Sequence, residues 1–197
     1  MDMTPQTTPQ KAALSRDHVD KFENPARLAE LGPADTLRRI GLTQDSVLCD
    51  IGAGTGVFAL PAAAMTRGTI FAIDINPDML SIIARKADET GAVNVRCIQV
   101  TEAGFNVAPG TADIVLLCSM LHGMPDMPQF VRDAAALLKP GGRLAVIEFH
   151  YRETPMGPPV SRRILPADLD AMAAAAGLSP ADSFILGENF YCAVYEN

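Results

Sequence analysis

From residue 47 onward, short apolar runs alternate with longer amphipathic segments. Residues 47–51 form an apolar run that ends in a glycine cluster, 57–65 carry helical spacing, and 69–73 are β-branched and apolar before Asp74. The pattern predicts strand, glycine turn, helix, strand. Pro77 opens a second helix at a position where a missing N–H is harmless, and this helix runs to about residue 89 before Gly91 stops it. Residues 94–100 predict a third strand and 113–118 a fourth. A helix over 127–139, closed by Pro140-Gly141-Gly142, then precedes a fifth strand at 143–149. A further Ala-rich helix is expected over 166–176. Two last strands, 183–186 and 191–195, flank Gly187-Glu188-Asn189 as a hairpin.

The runs Ile114-Val115-Leu116-Leu117 and Leu144-Ala145-Val146-Ile147 lack polar alternation, as expected of strands covered on both faces. Strands alternating with helices of this length predict an α/β, three-layer, doubly wound and mostly parallel sheet that finishes on an antiparallel strand. Upstream, 12–31 is amphipathic in patches and broken at Pro25, which predicts two short helical pieces lying over the rest. Residues 33–40 predict another, ended by Gly41. Residues 1–10, rich in Thr, Pro and Gln, predict a disordered tail, so one domain is expected over 11–197 with a helical cap over 11–33. The irregular stretch 151–165, with Pro155, Pro158 and Pro159, has the character of a lid or substrate loop.

Composition narrows the partners. The 197 residues, 48% of them apolar, suffice for one sizeable core. Sixteen basic against 23 acidic residues leave a net charge of -7, which disfavours nucleic acid or an anionic membrane as partner. There is no basic segment followed by an apolar leader, and no run of about 18 apolar residues, so a cytoplasmic protein without membrane contact is expected. Cys49, Cys97, Cys118 and Cys192 are scattered, three of them within apolar runs, and read as buried free thiols.

Candidate chemistry gathers in Asp50-Ile51-Gly52-Ala53-Gly54-Thr55-Gly56. Glycines between a strand and a helix let a ligand and the helix approach the backbone. A dinucleotide site normally spaces them G-x-G-x-x-G, so that a pyrophosphate rests on the helix N-terminus. Here the spacing is G-x-G-x-G. Asp50, two residues ahead of the first glycine, would repel a diphosphate and suits a ligand carrying positive charge. S-adenosylmethionine, with an α-amino group, a sulfonium and no phosphate, meets that requirement. Asp74 stands 22 positions after Gly52, where a carboxylate accepts hydrogen bonds from ribose hydroxyls, a feature shared with NAD-binding proteins. Glu102 and Ala103, after the third strand, offer an acceptor near an adenine amino group. Ile75 and Met79 offer apolar faces to the ring.

Four segments, Asp50 to Gly56, Phe71-Ala72-Ile73-Asp74, Asp113-Ile114-Val115 and Leu138-Lys139-Pro140-Gly141-Gly142-Arg143-Leu144, resemble in sequence and order the motifs of class I (Rossmann-like) S-adenosylmethionine-dependent methyltransferases. The resemblance runs from about Ala34 to the C-terminus. It implies a seven-stranded sheet of order 3-2-1-4-5-7-6 with strand 7 antiparallel, and a cofactor across the carboxyl ends of strands 1 and 2. It also implies that Gly52 and Gly54 line the methionine part, Asp74 the ribose, and Glu102 with Ala103 the adenine, although Thr101-Glu102-Ala103 departs at two positions from the common Gly-Asp-Ala. Lys21-Phe22-Glu23-Asn24-Pro25-Ala26-Arg27 and Glu153-Thr154-Pro155-Met156-Gly157-Pro158-Pro159 are similar to a subgroup of small bacterial-type methyltransferases.

Methyl transfer from a sulfonium is an in-line displacement. Positioning and water exclusion supply much of the rate, and a base is needed only for a protonated acceptor. Open α/β sheets bind ligands at the carboxyl ends of their strands. That places Cys118 beside the cofactor and makes His122, Glu148, His150, Tyr151 and Arg152 candidates for substrate contact, with His122 and His150 the candidate bases. Glu148 and His150 alternate along the fifth strand and so share a face that Phe149 does not. The spacing of His122, Glu148 and His150 matches no metal pattern, and no metal is expected. Arg162-Arg163 reads as a solvated pair, and Met120, Met124, Met127 and Met156 as core packing or an adaptable apolar lining. The expected activity is S-adenosylmethionine-dependent methyl transfer to a small-molecule acceptor. A non-catalytic cofactor-binding protein and a nicotinamide-dependent oxidoreductase are its rivals, and neither acceptor nor oligomeric state can be read from the sequence.

Overall fold

A computed structural model describes residues 16–101 and 104–197, with side chains from Val19 onward. Two short helices, α1 (Arg16–Phe22) and α2 (Pro25–Leu31), precede α3 (Pro33–Arg39). Asn24 makes the break between the first two: its Oδ1 accepts hydrogen bonds from the N–H groups of Ala26 (2.9 Å) and Arg27 (3.3 Å), and Pro25 occupies the first turn of α2. The doubly wound part follows as β1 (Leu48–Ile51), α4 (Ala59–Met65), β2 (Ile70–Asp74), α5 (Pro77–Thr90), β3 (Val95–Gln99) and β4 (Ala112–Cys118). It continues through α6 (Met127–Ala135), β5 (Leu138–Phe149), α7 (Pro166–Ala175), β6 (Ser179–Leu186) and β7 (Phe190–Glu196). Single 3-10 turns lie at Leu121–Gly123 and Val160–Arg162.

The seven strands form one sheet of order β3-β2-β1-β4-β5-β7-β6, parallel except for β7, which runs antiparallel to both β5 and β6. Alternation along the central strands divides the core in two. Ile114, Leu116, Ala145 and Ile147 meet Leu37, Ala59, Ala62 and Ile83 on one face, while Val115, Leu117, Leu144 and Val146 meet Val131, Ala134, Leu169 and Ala173 on the other. The unbroken apolar runs of β4 and β5 are therefore covered on both sides by helices, as their sequence implied.

Two boundaries differ from expectation. The helix expected over 127–139 stops at Ala135, and β5 begins at Leu138, before the Lys139-Pro140-Gly141-Gly142 segment. The carbonyls of Ala136 and Leu137 accept hydrogen bonds from the N–H groups of Gly110 (3.0 Å) and Ala112 (2.8 Å), so pairing with the start of β4 takes these residues from the helix. Strand β6 begins four residues earlier than expected, at Ser179. Its polar start, 179–182, is an exposed sheet edge, where Pro180 is tolerated beside a register shift. The expected tail over 1–10, together with 11–15 and with Glu102 and Ala103, lies outside the described residues. Among the described residues no helix is long and apolar enough to cross a membrane.

Candidate functional site

The glycine turn sits at the carboxyl end of β1 and is tied back to β2, because the N–H groups of Gly52 and Ala53 both donate to the Ile73 carbonyl (2.8 and 3.0 Å). Gly52 adopts φ 74°, and a Cβ there would lie 3.1 Å from Met120 Cγ, so glycine is required both by conformation and by the approach of the segment after β4. Asp74 closes the turn from the other side: Oδ2 accepts from the Gly54 N–H (2.9 Å) and Oδ1 from the Asn76 N–H (2.8 Å). A carboxylate has about four acceptor positions, so lone pairs remain for a ligand's hydroxyls. Asp50 is 2% exposed. Burial pushes its carboxyl up to about 7, with the nearby Asp74 adding to the rise and a hydrogen bond from the Ala59 backbone opposing it.

Above the turn lies a cleft lined by Asp50, Gly52, Ala53, Gly54, Thr55 and Cys118, and closed from the cap side by Phe22 and Arg27. Burial pushes the Cys118 thiol up to about 11, so the sulfur faces the cleft as a neutral group. Ile75 stands open at the end of β2, 73% exposed, whereas Met79 is enclosed within the fold at 4%. Of the two apolar groups expected beside an adenine ring, Ile75 alone presents a free face.

A second cavity of about 390 Å³ adjoins this cleft through Phe22 and Arg27, which line both. Three phenylalanines, Phe22, Phe149 and Phe190, shape it together with Met156 and His122. His122 is brought there by a backbone reversal after β4, in which Ser119 adopts φ 53°, sparsely populated for a residue with a side chain, and donates its N–H to the Ile147 carbonyl at 2.7 Å. The His122 Nδ1 lies 2.8 Å from Oε2 of Glu148, which is 1% exposed, and the His122 backbone N–H donates to Oε1 (3.3 Å). With Nδ1 held by the carboxylate, Nε2 is the ring nitrogen left for a ligand. The imidazole and the Phe149 ring stand nearly perpendicular at 5.8 Å between centroids, and Phe149 tilts onto Phe190 at 4.7 Å.

His150, the other candidate base, stands apart. Its ring packs against Tyr191 (5.9 Å between centroids), and its buried Nε2 has no hydrogen-bond partner among the described residues. Burial, with Arg152 and Arg163 nearby, lowers its pKa. It is not among the residues that line the His122 cavity, so the structure joins His122 to Glu148 and leaves His150 outside the pair.

Sequence reasoning missed two arginines. Arg27 was visible only as part of a segment, yet its guanidinium reaches the Phe22 carbonyl (3.0 Å) and Cys118 Sγ (3.8 Å), at the junction of the two cavities. Arg163, expected as half of a solvated pair, is 7% exposed. Its Nε donates to the Pro158 carbonyl (2.8 Å), Nη2 to that of Met156 (3.0 Å), and Nη1 to the carbonyls of His150 (2.9 Å) and Arg152 (2.6 Å) and to Thr154 Oγ1 (2.7 Å). A proline-rich segment offers carbonyls with few N–H groups to match them, and that imbalance was the available signal for a buried donor. Asn189 completes the support: its Oδ1 accepts from the Met156 N–H (2.8 Å), while its own N–H and Nδ2 donate to Glu30 of α2 (2.9 and 2.7 Å).

With this geometry in place, a methyltransferase-domain family model matches residues 49–144. The chain is 32% identical over 114 residues to a demethylmenaquinone methyltransferase of Tropheryma whipplei, which covers 58% of this chain and 46% of that protein. It is 34% identical over 122 residues to a ubiquinone biosynthesis O-methyltransferase of Serratia proteamaculans, covering 61% and 48% respectively. The chain thus spans a little under half the length of these curated relatives. In fold it is similar to a solved S-adenosylmethionine-dependent methyltransferase from Aquifex aeolicus, with a TM-score of 0.84 at 21% identity over 93% of this chain and 99% of that one. The matched segment contains the glycine turn and Asp74, and the sheet has the order those motifs imply, so in these motifs and in fold the chain is similar to class I S-adenosylmethionine-dependent methyltransferases.

Proposed function

We propose that the chain transfers the methyl group of S-adenosylmethionine to a flat, hydroxyl-bearing small molecule in the cavity beside His122, with His122 as general base. The observation that carries this reading is the 2.8 Å pairing of His122 with the buried Glu148 on the wall of a cavity that holds three phenylalanines and adjoins the glycine cleft. The two curated relatives are named for demethylmenaquinone and for ubiquinone biosynthesis, and a hydroxylated aromatic ring suits walls of phenylalanine.

The residues present fit the cofactor. Asp50 at the base of the cleft answers a cationic amino-acid end, Gly52, Ala53 and Gly54 allow close approach, and Asp74 accepts from ribose hydroxyls. Ile75 supplies an apolar face, Cys118 borders the cleft as a neutral group, and Glu102 and Ala103 stay assigned to the adenine. When bound, S-adenosylmethionine supplies a methyl group activated by a sulfonium leaving group. His122 Nε2 takes the acceptor's hydroxyl proton as the oxygen–carbon bond forms and the carbon–sulfur bond breaks, its electron pair remaining on sulfur. Glu148 fixes the imidazole's orientation and stabilises its positive charge. The cap and the 151–165 segment wall the reacting atoms from water.

The test combines calorimetry of S-adenosylmethionine and S-adenosylhomocysteine with transfer of labelled methyl to catechol and 1,4-dihydroxynaphthalene. Cofactor binding and transfer are expected, with His122→Ala lowering transfer by about 10²–10⁴-fold at unchanged cofactor affinity. Folded protein that binds neither form of the cofactor overturns the reading, and undiminished transfer by the variant removes His122 from it.

A further inference from the structure

Among the described residues that line the His122 cavity, the fully charged side chains are two cations and none is a carboxylate. Lys21 and Arg27 both line it, and Glu148, held against His122, is 1% exposed. The Arg27 guanidinium contacts a carbonyl and a sulfur and lies 5.8 Å from the centre of the Phe190 ring, and among the described residues neither it nor Lys21 forms an ion pair. The chain as a whole bears seven more acidic than basic residues. Two cations without an ion-pair partner among the described residues thus stand beside aromatic walls in a cavity whose lining holds no carboxylate, Arg27 also bordering the adjoining cleft that contains Asp50. Desolvating a guanidinium is unfavourable unless an anion or good acceptors replace the water, and a planar carboxylate or sulfonate meets its paired N–H groups well.

We propose that Lys21 and Arg27 form an anion seat and that the methyl acceptor is a flat aromatic hydroxy compound carrying a fixed negative charge such as a carboxylate. This rests on the reading of the His122 cavity as the acceptor site. The ring stacks among Phe22, Phe149 and Phe190, the anionic substituent turns toward the cap, and the hydroxyl turns toward His122. Neutral analogues of the same shape lose the contact with the cap and bind more weakly.

The seat is tested without knowing the acceptor by fluorescence titration with 8-anilinonaphthalene-1-sulfonate and its uncharged analogue N-phenyl-1-naphthylamine. The sulfonate is expected to bind at least about tenfold more tightly, corresponding to one or two charge-assisted hydrogen bonds. That preference shrinks at high salt and in Lys21→Gln/Arg27→Gln, and persists in the distant surface variant Arg67→Gln. Equal affinities, a preference unmoved by the double substitution, or no binding of either probe overturns the proposal. So does an Arg27→Gln variant that loses S-adenosylhomocysteine affinity while holding the sulfonate normally, because the guanidinium then serves the cofactor's own carboxylate. Calorimetry with S-adenosylhomocysteine on the same samples separates the two readings: charge preference without cofactor binding retires methyl transfer and leaves the seat standing.

Discussion

At the scale of single residues, Asp50 is where composition and placement pull apart. A carboxyl group entirely inside the fold, with Asp74 nearby and one opposing backbone hydrogen bond, is held at about 7 instead of 3.8. The folded chain therefore binds that proton more tightly than the unfolded chain does. Asp50's contribution to stability is full below 3.8 and is lost as the pH rises to about 7. Urea unfolding across this window, compared with Asp50→Asn, should show the wild-type losing ground on the variant as the pH rises; parallel curves would refute the burial argument. A cationic ligand favours the ionised form, so cofactor affinity should weaken as the pH falls through about 7, and less so in Asp50→Asn. Asp50 and Asp74 were legible because each sits at a fixed offset from glycines. The partnership of His122 with Glu148 was not, since the two are 26 positions apart and meet only because β4 and β5 lie side by side.

Among the elements, the segment between β5 and α7 shows how an irregular stretch acquires a defined shape. Arg163 supplies donors to five oxygens between His150 and Pro158, and its guanidinium lies 5.5 Å from the centre of the Phe149 ring. Gly157 follows from the same packing: at φ 104°, a Cβ there would fall 2.5 Å from the Phe149 ring. Replacing Arg163 by Met leaves four part-buried carbonyls without this donor and should lower unfolding stability by about 1–3 kcal/mol. Amide exchange should rise first at 152–158, and equal protection there in both proteins would show that the arginine does not hold the segment. Periodicity found the strands and most helices because each buries a face of its own. It overran α6 at 136–139, where pairing with the segment before β4 overrides helical spacing, and it had no purchase on a segment whose order comes from one distant side chain.

For the whole molecule, the sheet order brings the ends of β1, β2, β4 and β5 to one edge, and the cap is fastened across that edge by Glu30 to Asn189, in the turn between β6 and β7. First and last parts of the chain therefore bound a single working region, with Phe22 on the wall shared by its two cavities. This architecture has an optical consequence. The chain contains no tryptophan, and Tyr191 and Tyr195 are buried far from Phe22 in sequence and on other elements. A Phe22→Trp substitution would give the protein one indole emitter, on the wall that the two cavities share. Its emission should shift on adding S-adenosylhomocysteine and shift again when an aromatic acceptor follows, and a spectrum indifferent to both would mean that the cap does not border the cofactor. Order of binding, otherwise a matter for laborious kinetics, would then be read as a change of colour and intensity from a single indole.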